Sequence, residues 1–246
     1  MPFFILSILI QVCLVIHILK TGRATIWIWV VVLLPLAGTI AYVLLEILPE
    51  IMGTRTGRRA LHNISKTINP NKDLHHASFE LERADTVENN MRLAAELLAR
   101  NQFTEAKTLY EKCLRGVHAT DPAIMAGLAK SEFGLGEFIN AKNILDRLIE
   151  TNPNYKNESC HLLYARTLEI LNDIPGAEHE YQALAKYYSG PEAKYRYALL
   201  CKRTGKTTEA KKLLEEILST FRTSGKHYEY LHKEWLAKVK TELNDL

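Results

Sequence analysis

Polar and apolar residues are unevenly divided along this chain, and the division predicts two kinds of helix. Residues 2–19 form an apolar run whose only polar members are Ser7, Gln11 and His17; residues 26–48 form a second run. As helices rising 1.5 Å per residue they extend about 26 Å and about 34 Å, the reach needed for a hydrocarbon core of about 30 Å. Residues 20–25 are too few for anything but a tight reversal, so a two-span transmembrane hairpin is expected over residues 1–49. A cleaved signal peptide fits less well: no basic segment opens the chain, and Lys20 stands where small cleavage-site residues belong.

Beyond residue 86 the pattern becomes that of ordinary amphipathic helices, and it repeats. Four segments pair a turn-forming residue with an alanine five positions later: Asn101 with Ala106, Gly136 with Ala141, Asn172 with Ala177, and Gly205 with Ala210. The alanines are 35, 36 and 33 residues apart. A period near 34 residues marks stacked helix–turn–helix units, none able to bury its apolar face alone. The small residue lets the second helix of each unit press against the first. Asn172 stands in the usual glycine place because asparagine also tolerates a left-handed backbone. After Phe221, residues 226–243 predict one more helix with an apolar stripe of Tyr230, Leu231, Trp235, Leu236, Val239 and Leu243, a cap for the last unit.

These repeats resemble the tetratricopeptide family. Leu128-Ala129, Gly136, Phe138, Ala141 and Pro153 of the second unit fall at consensus places; the first carries about four extra residues, 116–119. The resemblance implies a concave groove lined by the first helix of each unit. By register it assigns to that groove Met91, Ala95 and Leu98; Ala126, Lys130 and Phe133; Leu162, Arg166 and Glu169; and Tyr195, Leu199, Lys202 and Arg203. Lys130, Arg166, Lys202 and Arg203, with Phe133 and Tyr195 among them, suit an acidic or C-terminal peptide, since arginine and lysine pair with carboxylates. A solvated helix face with scattered basic residues gives the same pattern, and both readings stand at this stage.

The N-terminal run resembles the two-helix domain of bacterial cardiolipin synthases of the phospholipase D superfamily. The residues that carry the resemblance are Lys20 closing the first helix, Trp27 and Trp29 opening the second, and Pro35, Gly38 and Tyr42 within it. That superfamily's catalytic motif requires a lysine two positions after a histidine, and none of the nine histidines has one. The resemblance therefore implies a bacterial membrane location and no lipid synthesis.

Charge adds orientation. Lys20 and Arg23 lie between the runs, whereas Arg55, Arg58, Arg59 and Lys66 follow the second; the positive-inside rule then places both termini in the cytoplasm. Arg55, Arg58 and Arg59 are expected to meet anionic phospholipid headgroups. Residues 50–86 form a juxtamembrane linker, in which Leu61, Ile64 and Ile68 suit either an interfacial helix or plain solvated chain. A net charge of +3 without a basic stripe argues against nucleic acid. His75 and His76 are adjacent, which suits an exposed loop better than a metal site, and Cys13, Cys113, Cys160 and Cys201 have no ligand spacing. No cofactor or metal is implied, and no catalytic constellation is present.

The sequence thus predicts an all-α protein: a transmembrane hairpin, a linker, and over residues 87–246 a solenoid of about four tetratricopeptide units with a capping helix. The expected function is a membrane-anchored scaffold mediating protein–protein interaction at the cytoplasmic face of a bacterial inner membrane. The alternative is an accessory subunit of phospholipid or envelope synthesis acting through the hairpin.

Overall fold

The computed structural model describes residues 2–54 and 71–246, and the chain divides into two compact units between Asp73 and Leu74. All regular structure in the described residues is helical. The expected membrane-surface residues Arg55, Arg58 and Arg59, and the stripe of Leu61, Ile64 and Ile68, lie outside them.

In the N-terminal unit, α1 (Pro2–Thr21) is continuous, but the second apolar run is not one helix. It breaks into α2 (Ile26–Leu33), α3 (Pro35–Tyr42), a π-helical turn (Val43–Ile47) and α4 (Leu48–Gly53). Pro35 supplies the physical reason. It has no amide to donate, and it drives the preceding residue out of the helical region; Leu34 sits at φ −123°, ψ 76°. The chain reverses there, so that Gly38 packs its bare Cα against the backbone of Val30 and Val31, where a Cβ would overlap the Val30 carbonyl. The expectation of a second span of 23 residues over residues 26–48 is corrected accordingly. Among the described residues, no helix is long and apolar enough to cross a membrane.

Ile18, Val31 and Tyr42 are buried at the centre of this unit. His17 Nδ1 meets the Tyr42 hydroxyl at 3.0 Å, and the Trp27 ring packs edge-on to Tyr42. Arg23 pairs with Glu46 and, at 2.6 Å, with Glu50, while Trp27 Nε1 donates to Glu46. Much of the apolar side-chain surface remains outside, including Leu33 at 71% and Leu36 at 75% exposure.

From Leu74 onward α5 (Lys72–Arg83), a helix within the stretch assigned to linker, belongs to the second unit. Its stripe is only Leu74, Ala77 and Leu81, too short to stand out from the surrounding polar sequence. Ala77 is buried and Leu74 packs on the first repeat. His75 and His76 are therefore on a helix, both exposed.

Four helical pairs follow: α6 (Val87–Ala99) with α7 (Phe103–Cys113), α8 (Pro122–Leu135) with α9 (Phe138–Thr151), α10 (Glu158–Ile170) with α11 (Ile174–Tyr187), and α12 (Glu192–Arg203) with α13 (Thr207–Thr223). All four turns have one geometry. Asn101, Gly136, Asn172 and Gly205 hold φ of 58°, 82°, 61° and 80°. The amide after each bonds the carbonyl five residues back: Gln102 to Leu97, Glu137 to Glu132, Asp173 to Leu168, and Lys206 to Cys201. This is the Schellman closure of a helix end, and it leaves the second helix one fixed direction. Ala106, Ala141, Ala177 and Ala210 then land with no exposed surface, as do Ala94, Ala129 and Ala165 opposite them.

Side-chain caps start several helices: Thr86 accepts from the Asn89 amide, Asp121 from Ala123 and Ile124, Asn157 from Cys160, and Asp173 from Gly176. The extra residues of the first repeat form a 3₁₀ turn (Gly116–His118), and Arg147 and Asn152 tie the chain after it to α9. Helix α14 (Lys226–Asn244) caps the stack. Val239 is buried, with Trp235, Leu236 and Leu243 packed on the same core. Tyr230 and Leu231, expected on that stripe, are 74% and 59% exposed, because the backbone leaves helical geometry at His232 and rotates the first turns away.

Gly127 of α8 faces the Tyr110 ring so closely that a Cβ would overlap it. Gly127→Val should therefore displace Tyr110 and cost about 1–3 kcal/mol, read as a lower denaturation midpoint at unchanged slope.

Candidate functional site

The first helices of repeats one to three line a cleft of about 580 Å³. Ala95 and Leu98 come from α6, Ala126 and Lys130 from α8, and Leu162 and Arg166 from α10, all at the register expected of a groove. They reach it together because the identical turns place every first helix on the same side of the stack.

Within the cleft Arg166 is half-buried, its guanidinium 4.7 Å from the centre of the Phe133 ring. Desolvation, followed by the positive charge of Arg196, lowers its pKa from the usual arginine value. Its charge is thus poorly solvated, which raises what an incoming anion would gain. The nearby carboxylates are engaged elsewhere: Glu192 accepts from Arg196 at 2.7 Å, and Glu169 accepts from the Tyr181 hydroxyl at 2.8 Å. Lys130 lies exposed at the rim, and among the described residues neither Lys130 nor Arg166 forms an ion pair.

The other three predicted groove residues stand differently. Tyr195 is only 8% exposed and packs edge-on to Trp235 under the cap. Lys202 bonds Glu242 of α14 at 2.9 Å, and this bond raises its pKa; Arg203 pairs with Glu169 at 3.3 Å. The basic series read from the sequence is therefore split. Lys130 and Arg166 face open cleft, whereas Lys202 and Arg203 tie the last repeat to its neighbours.

A second cleft of about 610 Å³ opens between α9, α10 and α11, and it was not foreseen. Leu145, Leu148, Ile149 and Tyr164 give it apolar walls; Tyr155, Asn157 and Cys160 border both clefts. His161 stands in it with both ring nitrogens engaged, Nε2 on Glu180 and Nδ1 on the Tyr187 hydroxyl, each at 2.5 Å. Nε2–H donates to the Glu180 carboxylate, and the Tyr187 hydroxyl, which can both donate and accept, completes the ring's contacts at Nδ1, so the trio satisfies itself. Burial pushes the neighbouring Cys160 thiol up to about 11, far from a reactive thiolate at neutral pH. No sequence signal marked this cluster, because its members are 19 and 26 residues apart and meet only through α10–α11 packing. Among the described residues, no group of histidine, cysteine and carboxylate side chains is arranged to hold a metal ion.

The tetratricopeptide repeat family model matches residues 191–222, the fourth helical pair. Among solved structures, a thermophilic tetratricopeptide protein of Thermus thermophilus superposes with a TM-score of 0.52 at 16% identity, over 70% of this chain and 87% of that one. MamA from Desulfovibrio magneticus gives 0.56 at 10% identity, over 68% and 94%. The second unit has the tetratricopeptide-repeat fold. No curated protein matches the chain, and the resemblance of residues 2–48 to cardiolipin synthases finds no support in these comparisons.

The hydrogen bond from His161 lowers the pKa of Glu180. A carboxyl with a depressed folded pKa stabilises fully above its unfolded value of about 4.3 and loses that contribution as pH falls through the folded value. His161→Phe should therefore lower the melting temperature at pH 7 and differ much less from the parent near pH 3, in circular dichroism melts at both pH values.

Proposed function

We propose that this chain is a membrane-tethered adaptor whose repeat cleft binds a partner protein through a carboxylate-bearing segment. The observation that carries the reading is Arg166, half-buried on Phe133 in an open cleft, with no carboxylate bonded to it among the described residues. Lys130 at the rim adds a second point of attraction, and Ala126 and Leu162 supply apolar floor. An acidic side chain or a chain terminus suits this chemistry, since the planar guanidinium holds a carboxylate with two parallel bonds. The reading assigns the chain binding and no reaction of its own.

The tether is the N-terminal unit. Its outer surface is rich in leucine, isoleucine and valine, while Arg23 pairs with both Glu46 and Glu50 at one end of the unit. An apolar exterior with paired charges suits a lipid surround better than water. Arg55, Arg58 and Arg59 come soon after α4 in sequence and would attract anionic headgroups, by about 1 kcal/mol each. The same basic residues favour the cytoplasmic face of a bacterial inner membrane for the repeats. The alternative role, as a subunit of lipid or envelope synthesis, has no observation of its own in the structure.

Photo-crosslinking from Ala126 in the full chain, in its native membranes, tests the cleft. A discrete protein adduct is expected, reduced about tenfold or more by Lys130→Glu with Arg166→Glu and unchanged by Lys211→Glu on α13. That loss corresponds to one charge-assisted bond of about 1.5–3 kcal/mol. Adducts equally strong with both cleft charges reversed would contradict the reading.

A further inference from the structure

The contacts inside the N-terminal unit run in an ordered series. Gly38 lies against Val30, Tyr42 against Trp27, Glu46 against Trp27 and Arg23, and Glu50 against Arg23. Gly38 and Val30, Tyr42 and Trp27, and Glu46 and Arg23 are symmetric about Leu34 and Pro35 to within one residue, and the other two pairs to within about one helical turn. That is the signature of two antiparallel elements joined at a reversal, and it leaves the apex at one end and Arg23, Glu46 and Glu50 at the other.

We infer that α2 and α3 form a re-entrant helical hairpin, entering and leaving the lipid phase through the same membrane face. The inference rests on the membrane reading above and concerns only this segment. Three features support it. The eight residues of α2 rise about 12 Å, less than half of a hydrocarbon core of about 30 Å. Leu33 and Leu36, on either side of the apex, are among the most exposed apolar side chains, as a tip immersed in acyl chains requires. The polar groups gather at the opposite end, where Trp27 also lies with its indole donating to Glu46, suited to the headgroup level.

The arrangement also resolves a tension in the distribution of basic residues. In a straight two-span hairpin Lys20 and Arg23 would lie across the membrane from Arg55, Arg58, Arg59 and Lys66. A re-entrant segment returns the chain to the face it left, so all six fall on one side, as the positive-inside rule favours. The reversed backbone is tolerable at depth because protein covers part of it: the Leu34 amide still bonds Val30, the Gly38 amide bonds Leu34, and Gln11 of α1 donates to the Val31 carbonyl.

Accessibility of single cysteines in the full chain decides the matter. The background carries Cys13→Ser and Cys160→Ala, since Cys113 and Cys201 are buried. Thr25→Cys and Thr54→Cys report the two ends; Leu33→Cys and Leu36→Cys report the apex, where outward side chains can be replaced without disturbing the unit's core. In sealed, uniformly oriented membrane vesicles, a membrane-impermeant maleimide should label positions 25 and 54 from the same face. Positions 33 and 36 should react from neither face until detergent is added, with a rise of about tenfold or more. Labelling of 25 and 54 from opposite faces, or of 33 or 36 from the face opposite position 25, overturns the inference and restores a straight span. Release of the whole chain by an alkaline carbonate wash overturns the membrane reading itself, and the inference with it.

Discussion

The repeat unit depends on one backbone requirement, met four times: a residue that accepts a left-handed conformation between the two helices of each pair. Asn101, Gly136, Asn172 and Gly205 meet it, and each is followed by an amide bonded to the carbonyl five residues back. That bond fixes where the second helix departs. The departure sets Ala106, Ala141, Ala177 and Ala210 against the first helix with no exposed surface. Because every turn is the same, every first helix falls on one side of the stack, and that repetition makes the cleft.

Above this frame the packing is uneven. One large cluster joins repeats three and four to α14, a second joins α5, repeat one and the start of repeat two, and only a small cluster around Ala129, Leu145 and Leu163 bridges repeats two and three. The two clefts meet at this thin seam, where Tyr155, Asn157 and Cys160 border both. Open space, the half-buried Arg166 and the His161 trio thus lie where the core is least continuous. The last repeat shows the opposite arrangement, its basic residues spent on Glu242 and Glu169 to hold the cap and its neighbour.

What the sequence revealed divides along the same physical line. Features set within a few residues of chain were legible: the left-handed turn residue Asn172 and the alanine that follows each turn. Features that depend on how helices rotate against each other were not. Lys202 and Glu242 are 40 residues apart, and nothing local shows that they meet. The kink at His232 likewise turned Tyr230 and Leu231 out of a stripe that periodicity alone placed inside. In the N-terminal unit hydropathy gave the extent of the apolar run but not its path. Pro35 breaks the helix, and the close approach that turns the break into a reversal depends on the missing side chain at Gly38 meeting Val30, eight residues back.

The left-handed turn is most directly tested at Asn172, where no glycine supplies the conformation. Denaturant unfolding of the full chain should place Asn172→Gly within about 1 kcal/mol of the parent, because glycine keeps the backbone geometry and loses only chain entropy. Asn172→Val should lose about 1–2 kcal/mol or more, since a β-branched residue is strained at φ 61°. A valine chain as stable as the parent would contradict the account, because the turn would then not be what fixes the repeats.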